Sequence, residues 1–194
     1  EDGDWAVLTR KGVQIYDMQG ARISRPVIKS LASSLTIDKG GYRHFMLKEI
    51  HEQPEVISHT LTNYIDMAAG TVRPMDLGID LAKVSRVTIS ACGTAYYAGL
   101  VAKYWIERYA RLPVEIDVAS ELRYREAPLP ENGLAIFVSQ SGETADTLAT
   151  LRYCKTNGQQ IASVVNVRTS TIARESHAIL PTLAGPEIGV ASTK

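Results

Sequence analysis

Only two cysteines occur in the 194 residues, Cys92 and Cys154, and they fall in separate segments. That excludes a disulfide framework and a cysteine-based metal cluster. It fits a reducing compartment, so a cytoplasmic location is expected. Charge of one sign is also missing: Lys plus Arg number 21 and Asp plus Glu number 21, for a net charge of zero. With no basic surplus, neither a nucleic acid nor an anionic membrane is expected as a partner. No apolar run approaches the length a bilayer needs, and no charged-then-apolar signal segment opens the chain. The histidines His44, His51, His59 and His177 are scattered without metal-ligand spacing, so no metal and no cofactor is expected. No Asp/Glu pair can be defended as an acid–base couple from spacing alone. Residue 1 is Glu rather than Met, and the chain reaches Lys194 directly after a loop-like, glycine-bearing stretch. A piece of a longer protein is expected.

What is present divides into four stretches. Within residues 1–30, residues 4–25 read as a short β-meander, with Trp5-Ala6-Val7-Leu8, Val13-Gln14-Ile15-Tyr16 and Ala21-Arg22-Ile23 separated by turn residues. Residues 31–41, ending in Asp38-Lys39-Gly40-Gly41, read as a linker. Residues 42–84 form a helical lead-in. Its pattern runs from Tyr42 to about Ala69 and breaks at Pro54, which is placed in the first turn of a second helix. From 85 to 194 strand and helix alternate. Strands are expected at 86–91, 114–118, 134–138, 161–167 and 178–183, with helices at 95–110, 119–125, 143–157 and 170–175. Continuous apolar strands with helical crossovers imply an α/β fold, a doubly wound parallel sheet of five strands covered on both faces. Ligands of such sheets bind beyond the carboxyl ends of the strands.

One loop stands at such an end. Leu134-Ala135-Ile136-Phe137-Val138 leads into Ser139-Gln140-Ser141-Gly142-Glu143-Thr144, and a helical pattern with Leu148, Leu151 and Tyr153 follows. A helix start offers unpaired N–H groups and the positive end of its dipole. Ser139, Ser141 and Thr144 add hydroxyl donors, and Gly142 admits close approach of the backbone. The loop holds no lysine or arginine, so it is not a P-loop. It reads as a neutral cradle for one small phosphate. The plainer alternative is an N-capped helix, with Ser141 or Thr144 as the cap. Glu143 is expected to point away from the anion.

Cys92-Gly93-Thr94 occupies the equivalent place after the first strand. Thr94 and its backbone either contact a ligand in the same crevice or merely form and cap a βα turn. Cys92 reads as a small buried residue. Ala95, Ala98, Gly99 and Ala102 form a small-residue face suited to close packing, whereas Tyr96, Tyr97, Tyr104 and Trp105 read as core and interface residues. After the fifth strand, Gly189 and Ser192-Thr193 form a candidate third wall, a common composition and a weak signal on its own.

Ala91-Cys92-Gly93-Thr94, Ser139 through Thr147 and Glu187-Ile188-Gly189-Val190-Ala191-Ser192-Thr193-Lys194 together resemble the sugar-isomerase (SIS) domain of the glutamine–fructose-6-phosphate aminotransferases, the glucosamine-6-phosphate synthases. Asp38 through Pro54 resembles that family's interdomain linker and first isomerase helix, and the meander resembles the last strands of its glutaminase domain. The match covers nearly the whole chain in the family's order. It implies a flavodoxin-like SIS lobe and an enzyme that makes glucosamine 6-phosphate and glutamate from fructose 6-phosphate and glutamine. By motif, Ser139, Gln140, Ser141 and Thr144 would hold the sugar phosphate. Cys92, Gly93 and Thr94 would border the sugar, and Val190, Ala191 and Ser192 would line the site. The family often has Ser where this chain has Ala95, which removes one hydroxyl donor.

The resemblance places the ammonia-releasing cysteine upstream and the acid–base groups in a second SIS lobe and a tail downstream, so no catalytic residue is expected within 1–194. A homodimer is implied, and residues 1–194 alone are expected to bind weakly and turn nothing over. Two rivals remain: a non-catalytic SIS sugar-phosphate sensor, and another SIS sugar-phosphate isomerase or deglycase. A sensor of the regulator type carries a basic helix-turn-helix where this chain has a meander and a neutral linker.

Overall fold

A computed structural model describes residues 3–26, 38–190 and 193–194. The chain divides into two compact units, Glu1–Ser33 and Ser34–Lys194. Most of the linker expected at 31–41 lies outside the described residues.

In the first unit β1 (Trp5–Thr9), β2 (Gly12–Tyr16) and β3 (Arg22–Ile23) pair antiparallel in that order. Local side-chain bonds close both turns. Thr9 Oγ1 donates to Gly12 O at 3.1 Å, and Asp17 Oδ1 accepts from the N–H groups of Gln19 (3.0 Å) and Ala21 (2.8 Å). Short polar side chains that mimic a backbone turn in this way set the hairpin register. Trp5 stacks on Tyr16 across the β1–β2 pair, with ring centroids 4.4 Å apart.

The second unit begins with α1 (Phe45–Tyr64), one continuous helix with Pro54 inside it. The expected break at Pro54 does not occur. An interior proline costs about 3 kcal/mol, but side chains on both sides of it bond to the rest of the unit. Glu49 accepts from Ile188 N, Thr60 Oγ1 accepts from Leu183 N, and the Tyr64 hydroxyl donates to Pro181 O. The helix also stops short of Ala69. Asp66 Oδ1 accepts from the N–H groups of Ala68 and Ala69, and Gly70 adopts φ +64°. That turn folds β4 (Ile65–Asp66) onto β5 (Thr71–Val72).

The remainder is the expected sheet. Its strands are β6 (Arg86–Ala91), β7 (Val114–Val118), β8 (Gly133–Ser139), β9 (Gln160–Val165) and β10 (Ala178–Pro181). All pair parallel, in the order β10-β9-β8-β6-β7. That is the 2-1-3-4-5 flavodoxin-like order, whose switch point lies between β6 and β8. Crossovers run through α2 (Gly93–Trp105), α3 (Ala119–Arg125), α4 (Ala145–Thr156) and α5 (Thr171–Glu175).

Two apolar clusters sandwich the sheet. Ala135 and Phe137 of β8 join Leu151, Cys154, Ile161, Val165 and Ile172, while Leu134, Ile136 and Val138 join Val87, Ile89 and Val114. Period-two alternation thus sends one strand into both cores, which is why it reads as an unbroken apolar run. Burial pushes the Cys154 thiol up to about 12, leaving it a small apolar core group.

The expected helix 95–110 begins earlier, at Gly93, and its last turn, Ile106–Ala110, is a π-turn closed by Arg111 at φ +57°. Its aromatic residues are not core. Tyr97, Tyr104 and Trp105 are 65%, 67% and 62% exposed. The physical reason is Gly99, on the opposite side of the helix. A Cβ there would stand 2.7 Å from Ile116 Cδ1 and 3.0 Å from Ile89 Cγ2, so the helix turns Gly99 to the sheet and these aromatics face out. Gly99→Leu is expected to lower stability by about 1–3 kcal/mol in urea unfolding. Val101→Ala, at an exposed position of the same helix, is expected to stay within about 0.5 kcal/mol of the parent.

Candidate functional site

At the switch point the loops after β6 and β8 separate, leaving a crevice at the carboxyl ends of the strands. Ser139 closes β8 and is buried. Its Oγ accepts from Gly142 N at 3.1 Å and lies 3.1 Å from Thr144 Oγ1. Ser141 Oγ accepts from Glu143 N at 3.2 Å. Gly142 sits at φ +66°, and a Cβ there would fall 1.9 Å from Ser170 Oγ. Its carbonyl accepts from Ile172 N at 3.0 Å, and the Gln140 carbonyl accepts from Asn166 N at 3.1 Å. The loop is therefore tied to the segments after β9.

Thr144 stands at the N-cap of α4, yet no side chain caps that helix, so the plainer reading of a hydroxyl-capped turn is corrected. The hydroxyls bond to one another and to the loop's own N–H groups, and the helix start keeps its donor character. Glu143 turns away, its Oε1 accepting from Thr171 N (2.7 Å) and Thr171 Oγ1 (3.2 Å) at the start of α5. Asp146, in the first turn of α4, is neutralised by Arg123 at 2.9 Å. No carboxylate is left unpaired in the first turn facing this loop among the described residues.

Cys92, Ala95, Val138, Ser139, Gln140, Ser141 and Thr144 enclose a small cleft of about 70 Å³. Ala95, Val138, Ser139 and Gln140 also border a cavity of about 350 Å³, with Thr94 and Ala98 of α2 and Val56, Ile57, Thr60 and Leu61 of α1. Gly93, at φ +57°, makes the turn into α2, whose N-cap is Cys92 and not Thr94. Cys92 is half-buried in the cleft wall, not fully buried as expected. Val190 is exposed and borders neither space, while Ala191 and Ser192 lie outside the described residues. Ala95, where the resembled family often has serine, forms part of both walls. Among the described residues no group of His, Cys, Asp and Glu could hold a metal ion. No helix there is long and apolar enough to cross a membrane.

Nothing in the sequence places α1 at this wall, and Lys194, the last residue of the family motif, borders the larger cavity with its side chain 5% exposed. Glu52 pairs with it across 142 residues of sequence. Burial pushes the Glu52 carboxyl up, but the hydrogen bond and charge of Lys194, aided by Lys48, outweigh it and hold the group below its ordinary 4.5. The only hint was polar spacing: Glu49, Glu52 and Gln53 share one face of α1.

An α/β domain of flavodoxin-like order, with an uncharged hydroxyl cradle at its switch point, defines the class. Residues 80–194 match the family model of the SIS domain, and the chain belongs to the SIS domain family. Over its full length it is 68% identical to glutamine–fructose-6-phosphate aminotransferase (isomerizing) of Brucella abortus and 66% identical to that of Mesorhizobium japonicum, covering 32% of each. It thus spans about a third of the length of the curated relatives it matches. Among solved structures it is similar to the C-terminal domain of glucosamine-fructose-6-phosphate aminotransferase from Francisella tularensis. That likeness has TM-score 0.70 and 44% identity, over 80% of this chain and 44% of that one.

Two outcomes are expected of this geometry. Gly142→Ala places a side chain at positive φ and against Ser170, and is expected to cost more than about 1–2 kcal/mol in thermal unfolding. Because Glu52 is held below 4.5, the stability it contributes is present above that pH and lost as pH falls through its folded value. Glu52→Gln is therefore expected to flatten the acid limb of a stability–pH profile, leaving the slope between about pH 6 and 8 unchanged.

Proposed function

We propose that this chain is the sugar-phosphate-binding part of an enzyme that forms glucosamine 6-phosphate from fructose 6-phosphate and glutamine. The observation that carries the reading is the cradle at 139–144. Its helix start has no side-chain cap, its neighbouring carboxylates are engaged elsewhere, and it opens onto a cavity of about 350 Å³. In the proposed complex Ser139, Gln140, Ser141 and Thr144 hold the phosphate through hydroxyl, amide and backbone donors. Cys92, Gly93 and Thr94 border the sugar. The names of the relatives support the amino-sugar product over the other SIS chemistries.

This chain's residues bind and orient the sugar phosphate. The relatives are about three times as long, and the proposal assigns the chemistry to the rest of the protein. A glutaminase domain releases ammonia there. The opening of the sugar, the amination at C2 and the ketose-to-aldose shift draw on a second SIS lobe. A homodimer, a cytoplasmic setting and the absence of a resident cofactor belong to the same proposal.

The test uses the full-length protein and isothermal titration. Ser141→Ala and Thr144→Val are each expected to weaken fructose 6-phosphate binding by the ~1.5–3 kcal/mol of a hydrogen bond to a charged group, roughly 10- to 150-fold. Binding of unphosphorylated fructose is expected to be unmoved. Ala95→Ser restores a donor at the shared wall and is expected to tighten binding by about 0.5–1.5 kcal/mol. Formation of glucosamine 6-phosphate with glutamine supports the enzyme. Binding without glutamine-dependent amination overturns it in favour of a sensor or another SIS isomerase.

A further inference from the structure

Glu49 is a buried carboxylate, 2% exposed, that takes no part in the phosphate cradle. Its Oε1 accepts from Ile188 N at 2.6 Å and from Gly189 N at 3.1 Å, and its Oε2 lies 3.3 Å from Gly189 N. Gly189 is pressed onto the start of α1. A Cβ there would stand 2.7 Å from Met46 N and 2.8 Å from Glu49 Oε2. One turn further along the same face, Glu52 pairs with Lys194 and Gln53 Nε2 donates to Thr193 O. Glu187 Oε1 completes the arrangement by accepting from Thr193 N at 2.6 Å and Lys194 N at 2.8 Å.

Isolating a carboxylate from water is costly unless hydrogen bonds satisfy it. Here the partners are consecutive backbone N–H groups of a segment that has no strand neighbour to bond. An apolar side chain at position 49 would leave those donors unmet, so the carboxylate does something that packing alone cannot. Downstream of this grip, α1 supplies Val56, Ile57, Thr60 and Leu61 to the larger cavity, and Lys194 borders the same cavity.

We propose that Glu49 is a positioning residue for the hexose-phosphate site: from α1 it sets the backbone at 188–189, and together with Glu52 and Gln53, which hold Lys194 and Thr193, it fixes Lys194 at the border of the larger cavity. This rests on the sugar-phosphate reading above and adds a residue that touches no substrate. The side chain acts through the backbone it orients. Its loss is expected to appear in sugar-phosphate binding and not in the handling of glutamine.

The experiment compares full-length wild type with Glu49→Ala, Glu49→Gln and Ile161→Val, the last a core truncation on β9. Hydrogen exchange reads the Ile188 and Gly189 amides, and titration reads fructose 6-phosphate affinity. In Glu49→Ala both amides are expected to lose protection, and the fructose 6-phosphate Kd to rise about tenfold or more with KM for glutamine unchanged. Glu49→Gln keeps an acceptor and is expected to fall between it and wild type. Ile161→Val is expected to lower Tm without changing the Kd, which separates positioning from general destabilisation. Wild-type affinity that Glu49→Ala leaves unchanged overturns this proposal alone. A wild-type protein that binds no fructose 6-phosphate overturns the functional reading and this proposal with it.

Discussion

The parallel pairing of β6 with β8 is the constraint on which the rest of the molecule depends. Arg86 to Ala91 lie in register with Gly133 to Val138, so both strands end at the same level. From there the chain leaves β6 toward β7 on one side, and leaves β8 toward β9 on the other. Two glycine turns, at Gly93 and Gly142, each in the left-handed region, begin the departures. The crevice between them is a consequence of chain direction, and side-chain chemistry then decides what the crevice can hold.

That chemistry avoids formal positive charge. Residues 139–147 contain no Lys or Arg, and what they offer instead is hydroxyls, backbone donors and the start of a twelve-residue helix. A helix start contributes only about half a unit of charge, so an anion proposed there needs negative charge kept away. Glu143 bonded to Thr171 and Asp146 bonded to Arg123 meet that condition. The same Glu143 contact fastens α5 to the loop, and Gly142 O receives Ile172 N beside it. The cradle is held from the outside by the element that follows β9.

A second support comes from α1. Its polar face grips Ile188, Gly189, Thr193 and Lys194 while residues from its later turns border the larger cavity. Pro54 lies between these two stretches and does not break the helix. Bonds at Glu49, Thr60 and Tyr64 to residues far along the chain hold both halves in line, and tertiary anchoring of this kind outweighs a local propensity.

The sequence by itself determined what depends on neighbours along the chain. Strand periodicity located all five sheet strands to within a residue or two. Chain alternation implied the doubly wound sheet, and the turn chemistry of Gly93 and Gly142 marked the two loops. The place of the 139–144 loop was legible because a strand, a hydroxyl-rich turn and a helix follow one another within a dozen residues. Only the tertiary structure decided which face of α2 turns outward, whether Pro54 ends a helix, and that Thr144 leaves its helix uncapped. It alone joined Glu49 to Gly189, 140 residues apart, and Glu52 to Lys194. The reason is physical. Periodicity and turn preference are local properties of the backbone, whereas a buried carboxylate reveals its role only when folding brings distant N–H groups to its oxygens.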